Sequence, residues 1–288
     1  MTDREWPTPD DGPRMTGPEP SSPGDVSDLF VARLWMVDLD GVVWLSGEPI
    51  GDPALAVDRL RAHGARVVFA TNNSAPTTGD LLERLDRIGI TAEPADLASS
   101  AAAAAGLLRP GSRVRLLAEA GVREALAERG VEVAADGPVD AAVVGWNRAF
   151  DFDSLSATAR AAREAGRLIG TNEDPTHPTP DGLVAGSGAL LAAVATASGL
   201  VPEVAGKPHE PMASLMRERF GFEAGDTDVV LVGDQPRTDG RLAERLKVPF
   251  ALVDSGVTSP GSSPDDVPVA ARAPDFGRLV EAVLAAGG

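Results

Sequence analysis

From residue 31 onward, short unbroken apolar runs alternate with segments whose apolar positions recur every three or four residues. Leu34, Trp35, Met36 and Val37 form a run with no polar break, the pattern of a strand buried on both faces. Asp52 and Pro53 then open a segment with Leu55, Val57 and Leu60 along one side and Gly64 at its end, which predicts a helix with a capped start. A strand follows over 66–70, and Leu81, Leu82, Leu85 and Ile88 mark a helix that stops at Gly89. The rhythm returns late in the chain. Met212, Leu215, Met216 and Phe220 predict a helix, 229–232 a strand, Leu242 and Leu246 a helix, and 250–253 a strand. Phe276, Leu279, Val280, Val283 and Leu284 form a closing amphipathic helix.

Strand and helix units in series imply a parallel sheet covered on both faces, so the outer halves read as one doubly wound, Rossmann-like α/β core. Between them, residues 108–202 carry an alternation of their own. Strands are expected at 114–117, 141–144 and 168–169, and helices at 122–129, 154–165 and 189–198. That block is long enough for a second α/β domain inserted in the first, giving a core of 29–107 with 203–288 and an insert of 108–202. The alanine-rich stretch 98–107 reads as a helix. Residues 1–28 are rich in Pro, Asp, Ser and Gly, hold too few apolar side chains to offset ordering entropy, and read as a disordered tail.

Composition narrows the chemistry. The chain has 288 residues, 43 acidic and 26 basic, for a formal charge of -17. Such a surface repels nucleic acid and anionic membrane faces, so neither is expected as a partner. No secretory leader or membrane-length apolar run is visible, and a cytoplasmic enzyme is the expectation. With no cysteine, disulfides, thiol nucleophiles and Cys-ligated zinc are excluded, and the three histidines, His63, His177 and His209, fit no zinc spacing. Hard-metal chemistry through carboxylates is what remains.

The polar residues that stand out lie just past predicted strands or just before predicted helices. Asp38 and Asp40 follow the first strand, Thr71 and Asn72 the second, and Asp234 the strand at 229–232. In a parallel sheet these positions share the carboxyl edge, where ligands bind. Carboxylates gathered there repel one another unless a cation intervenes. Asp38, Asp234 and the main-chain carbonyl of Asp40 could serve Mg²⁺, which keeps its other positions for water and phosphate. Lys207 adds a fixed positive charge, and the Thr71 hydroxyl with the amides after it, including that of Asn72, offers donors for phosphate oxygens. Asp38 then stands as a nucleophile toward phosphorus. Asp40, touching the metal only through its carbonyl, is placed to give a proton to the leaving alkoxide and later take one from water. In the insert, Trp146, Asn147, Arg148 and His177 are the loop residues expected to touch substrate.

Four segments in order, Asp38-Leu39-Asp40-Gly41-Val42-Val43-Trp44, Thr71-Asn72-Asn73-Ser74, Gly206-Lys207-Pro208 and Val232-Gly233-Asp234-Gln235-Pro236-Arg237-Thr238-Asp239, resemble the motifs of the haloacid dehalogenase superfamily. Their spacing is most similar to its NagD-like branch of phosphatases, and the likeness runs from about residue 33 to 260. Residues 143–155 and 171–188 also resemble that branch's cap domain, as does 254–258. The resemblance implies that Asp38 is the nucleophile, Asp40 the acid and base, and Thr71 and Lys207 phosphate ligands. It further implies Mg²⁺ on Asp38, the Asp40 carbonyl and Asp234, with Asp239 behind them, and a homodimer through the cap. Two positions depart from the pattern: Gly240 stands where a bulky aliphatic residue is usual, and Asn147 where the cap motif has Asp. The expected substrate is a small phosphorylated metabolite such as glycerol 3-phosphate, phosphoglycolate, a nucleoside monophosphate or a sugar phosphate. The rival readings are a phosphoryl acceptor that signals without turnover and a phosphomutase.

Overall fold

The computed structural model describes residues 29–179, 182–256 and 267–287. The expected tail at 1–28 lies outside these residues, as do Val257 and Thr258 of the last segment. The first part of the core runs β1 (Leu34–Asp38), a hairpin of β2 (Trp44–Leu45) and β3 (Glu48–Pro49), α1 (Pro53–Ala62), β4 (Arg66–Thr71), α2 (Thr78–Arg87), β5 (Leu97–Ser99) and α3 (Ser100–Gly106). The inserted unit follows with β6 (Arg113–Leu117), α4 (Ala120–Glu128), β7 (Glu132–Val133), β8 (Ala141–Val144), α5 (Phe152–Ala165) and β9 (Leu168–Gly170). A hairpin of β10 (Thr176–Thr179) and β11 (Gly182–Ala185), α6 (Ser187–Ser198) and β12 (Glu203–Val204) complete it. The chain returns to the core with α7 (Glu210–Phe220), β13 (Val229–Gly233), α8 (Arg241–Leu246), β14 (Phe250–Val253), β15 (Ala271–Ala273) and α9 (Phe276–Ala286).

Six parallel strands build the core sheet in the order β15-β14-β13-β1-β4-β5. Successive residues of one strand serve opposite faces: Leu34 and Met36 join one apolar cluster, Trp35 and Val37 the other. Val229 and Leu231 are divided from Val230 and Val232 in the same way, and Phe250 and Leu252 from Ala251 and Val253. This two-residue period, buried on both sides, is why the strands read as continuous apolar runs.

A second parallel sheet, β12-β9-β8-β6-β7, forms the inserted unit. One of its faces is continuous with the core: Val114, Val122, Val143 and Ile169 pack in the same cluster as Leu108, Ala104 and Met36. Leu117, Val144, Leu168, Leu191 and Val194 close the other face. The two units are therefore cemented by shared apolar packing.

The alanine-rich segment differs from its sequence reading at its start. Leu97, Ala98 and Ser99 pair with β4 as the edge strand, and the helix begins only at Ser100, with the Ser99 hydroxyl accepting from Ala102 N at 3.2 Å. Strand pairing with Phe69, Ala70 and Thr71 overrides the helix propensity of a single alanine. Gly240 has a physical reason as well. A Cβ there would sit 2.6 Å from Val267 Cγ1 and 3.2 Å from the Phe250 ring, so the space an aliphatic side chain would fill is already taken. Among the described residues no helix is long and apolar enough to cross a membrane.

Candidate active site

The carboxyl edge of the core sheet gathers residues almost 200 positions apart. Asp38 ends β1 in register with Ala70, so Thr71, the last residue of β4, lies beside it, and Asp234 follows β13 on its other side. Lys207 enters from the segment between β12 and α7. Its ammonium is 2.7 Å from Asp38 Oδ1 and 2.7 Å from Asp239 Oδ1. Asp38 Oδ1 also accepts from Leu39 N at 2.8 Å, which concentrates both donors on one oxygen. Asp239 Oδ2 accepts from Gln235 N at 3.2 Å.

Asp38, Asp234 and Asp239 are buried and can each bring one oxygen within 4.8 Å of the others. Close approach is secured by glycine. At Gly41, where φ is +92°, a Cβ would stand 2.6 Å from the Asp234 carboxyl carbon, and one at Gly256 would overlap the same carboxylate. Ser255 ties that last loop to the first, its hydroxyl donating to Gly41 O at 2.7 Å.

The electrostatics of the cluster are unbalanced. Burial pushes the Asp38 carboxyl well above the ordinary carboxylate range; Lys207 pulls it back, while Asp239 and Asp234 push it further. Burial opposes the charge on Lys207 too, but Asp239 and Asp38 overcome it and hold the ammonium above its usual pKa. Among the described residues three buried carboxyl groups lie beside one ammonium. Their donor atoms are all oxygen, the set that suits a hard divalent cation. Asp239 is engaged on both oxygens, by Lys207 and by Gln235 N.

Asp40 is placed differently. Its Oδ1 accepts from the Trp44 indole at 3.1 Å and its Oδ2 from the Thr71 hydroxyl at 3.4 Å, so it borders the cluster without joining it. Thr71 Oγ1 in turn accepts from Asn73 N at 2.9 Å. The side chain of Asn72 is spent within the protein: Oδ1 accepts from Lys207 N at 2.7 Å, and Nδ2 donates to Lys207 O at 3.2 Å and to Asp174 Oδ2 at 3.0 Å.

A cavity of about 650 Å³ opens over these groups, walled by Asp38, Asp40, Thr71, Lys207 and Asp234 below and by Trp146, His177 and residues 172–176 of the inserted unit above. A second chamber of about 580 Å³ adjoins it, and Asp40, Trp146 and His177 border both. The Trp146 and His177 rings are 4.9 Å apart and tilted by 45°, and the indole N–H donates to Ala185 O at 2.9 Å. Arg148 lines the outer chamber, its guanidinium 5.9 Å from the Trp146 ring centre. Asn147 stands apart from both linings, its carboxamide oxygen accepting from Ala149 N at 2.8 Å.

Sequence reasoning passed over the segment 171–174 as individual residues. Asn172 Nδ2 donates to Asn72 O at 2.7 Å, Glu173 Oε1 lies 2.9 Å from His209 Nε2, and Thr171 Oγ1 lies 3.0 Å from Ser74 Oγ. The same signal that selected Asp38 and Thr71, polar residues directly after a strand, was present after β9.

Comparison with known proteins agrees with this geometry. Residues 35–132 match the family model described as haloacid dehalogenase-like hydrolase, and 204–281 match a second, HAD-hydrolase-like model. The chain is 35% identical over 237 residues to the D-glycerol 3-phosphate phosphatase of Mycobacterium tuberculosis, covering 78% of this chain and 63% of that protein. It is 30% identical over 230 residues to the acid sugar phosphatase of Staphylococcus aureus, covering 79% and 88%. The crystal structure of a glycerol phosphate phosphatase from M. tuberculosis in complex with magnesium superposes with a TM-score of 0.79 at 30% identity, over 88% of this chain and 78% of that one. By sequence, by fold and by the loops that carry its carboxylates, the chain belongs to the haloacid dehalogenase-like hydrolases, in their NagD-like branch.

Proposed function

We propose that this protein is a Mg²⁺-dependent phosphatase that hydrolyses a small phosphomonoester through an aspartyl phosphate on Asp38. The observation that carries the reading is the buried group of Asp38, Asp234, Asp239 and Lys207 beneath a cavity that the inserted unit covers. When bound, Mg²⁺ would be held by Asp38, Asp234 and the Asp40 carbonyl, and would neutralise charge on the phosphoryl oxygens. Lys207 and Thr71, with the backbone N–H of Asn72, hold the phosphoryl group against Asp38. Both protein donors to Asp38 fall on Oδ1, so Oδ2 keeps its lone pairs for attack. The new Oδ2–P bond forms as the bond from phosphorus to the leaving oxygen breaks, and Asp40 delivers its proton to that oxygen. Asp40, now a carboxylate, takes a proton from water, whose oxygen displaces Asp38 and releases inorganic phosphate. The Trp44 indole and the Thr71 hydroxyl orient Asp40 for both transfers.

The leaving group lies against the Trp146–His177 pair, with Arg148 in reach of longer substrates; similarity to a D-glycerol 3-phosphate phosphatase and an acid sugar phosphatase supports a polyol or sugar ester. Phosphate release across a panel of glycerol 3-phosphate, phosphoglycolate, nucleoside monophosphates and sugar phosphates in Mg²⁺ tests the reading. A stable phosphoryl-protein without released phosphate would replace it with the acceptor, and transfer between sugar hydroxyls with the mutase. Exposed Phe152, Leu183 and Val201 on the inserted unit support a homodimer through that unit, which light scattering tests.

A further inference from the structure

Lys207 is a long side chain that has to hold one position, and its two ends are fixed by different loops of the core. The ammonium is gripped by Asp38 and Asp239, both in the core. The backbone is gripped by Asn72, whose carboxamide pairs with the N–H and the C=O of Lys207 together. That pairing demands close approach, and Gly206 permits it: a Cβ there would lie 2.5 Å from Asn72 Oδ1 and 2.6 Å from Thr171 O.

A carboxamide has two N–H bonds, and Asn72 Nδ2 serves a second acceptor, Asp174 Oδ2 at 3.0 Å. Asp174 belongs to the inserted unit. Its N–H donates to Asn172 Oδ1 at 3.1 Å and its carbonyl accepts from Gly188 N at 2.9 Å, in the first turn of α6, where Gly188 packs with no room for a Cβ. Burial pushes the Asp174 carboxyl above its ordinary range, while the Asn72 hydrogen bond and the Lys207 charge favour its ionised form; the Lys207 carbonyl can only accept, so a flipped Asn72 would set its oxygen against that carbonyl and against the Asp174 carboxylate. The inserted unit thereby locks the orientation of the amide that locks the lysine.

We propose that Asp174 is a positioning residue for Lys207, acting through Asn72, so that seating the inserted unit on the core and aiming the phosphate-holding ammonium are one arrangement. The proposal rests on the phosphatase reading above for the role of Lys207. A partner that orients a ligand without touching it typically changes affinity or activity by about tenfold to a hundredfold when removed.

The test is calorimetric binding of inorganic phosphate in Mg²⁺, with kcat and KM for 4-nitrophenyl phosphate, on wild type, Asp174→Ala, Asp174→Asn, Asn72→Ala and the double alanine variant, each checked for its unfolding midpoint. Asp174→Ala is expected to weaken phosphate binding about tenfold and to raise KM more than it lowers kcat. Asp174→Asn keeps an acceptor oxygen for Asn72 and should recover most of that loss. The double variant should lose little beyond Asn72→Ala alone, because both act through one contact. Unchanged phosphate binding in Asp174→Ala, additive losses in the double variant, or equal losses in Asp174→Ala and Asp174→Asn would overturn the proposal, the last by assigning the effect to charge. If Asp174→Ala does not fold, Asp174→Asn still decides, since an asparagine as damaging to phosphate binding as Asn72→Ala refutes it. A wild type that shows the expected order of phosphate binding but releases none from any ester overturns the phosphatase reading alone. One that binds no phosphate overturns both.

Discussion

Replacing Asp38 by Asn removes one of three carboxylates whose oxygens can lie within 4.8 Å of one another. At that upper limit and an effective dielectric of about 20, two ionised carboxylates repel by at least about 3.5 kcal/mol, so an ionised Asp38 takes part in at least about 7 kcal/mol of repulsion. The 2.7 Å contact with the Lys207 ammonium returns about 6 kcal/mol on the same scale. These nearly cancel, and the cost of burying the charge decides the sign. Asn is nearly isosteric, and its Oδ1 can still accept from Leu39 N and Lys207. In chelator, Asp38→Asn is therefore expected to unfold several degrees above wild type, the stabilisation of a site relieved of its functional charge. With saturating Mg²⁺ the order should reverse, because the cation stabilises three carboxylates in wild type and two in the variant. Thermal unfolding in chelator and in Mg²⁺, paired with phosphate release from 4-nitrophenyl phosphate, measures both sides. Turnover should vanish in the variant. A lower midpoint in chelator together with an unchanged magnesium shift would refute the charge reasoning, and retained turnover would refute the nucleophile.

Lys207→Met leaves Asp38 and Asp239 buried without their ammonium and should cost about 3–5 kcal/mol in denaturant unfolding, along with activity. Gly240→Leu pushes a side chain into Val267 and Phe250 and should cost about 1–3 kcal/mol while the metal-dependent shift in midpoint survives. Trp146→Ala removes the wall between the two chambers, so kcat/KM for substrates that reach the outer chamber should change more than for glycerol 3-phosphate; equal changes across the panel would remove Trp146 from specificity. Thr77 and Asp80 form a capping box at the start of α2, and hydrogen bonds from the Thr77 hydroxyl and amide hold the Asp80 carboxyl below its ordinary 3.8. A depressed carboxyl stabilises the fold above 3.8 and loses that contribution as pH falls through the lower folded value. Thr77→Ala should therefore cost about 1 kcal/mol near neutral pH and progressively less in acid.

Most of the core was legible because its strands are buried on both faces and its helices begin and end on strong local signals. Asp52 accepts from Leu55 N in front of Pro53, and Gly166, Gly199 and Gly221 close their helices in the left-handed conformation. Short edge elements were not legible: β7, β12 and β15 have two or three residues each and owe their strand form to a neighbour already in the sheet. The hairpin of β10 and β11 was missed, since exposed Leu183 and Val184 break the usual apolar alternation.

The site divides along the same physical line. Asp38, Asp40, Thr71 and Asp234 could be found in the sequence because a parallel sheet turns position along the chain into position in space, the end of every strand being the same edge, whereas Lys207 was found through its Gly-Lys-Pro segment. Nothing of that kind predicts Asn72 as a clamp on Lys207, or Asp174 as the residue that fixes the clamp, because those contacts join loops of two separate sheets. Their geometry depends on how one unit sits on the other, which is decided by the apolar face that Val114, Val143 and Ile169 share with Leu108 and Met36. A substitution in that shared face should accordingly register in phosphate affinity as well as in stability. Val143→Ala, with no contact to the cavity, should cost about 2 kcal/mol in unfolding and weaken phosphate binding by shifting Asp174 against Asn72. Phosphate binding that stays at the wild-type level while stability falls would mean that the loops hold the lysine without help from the packing beneath them.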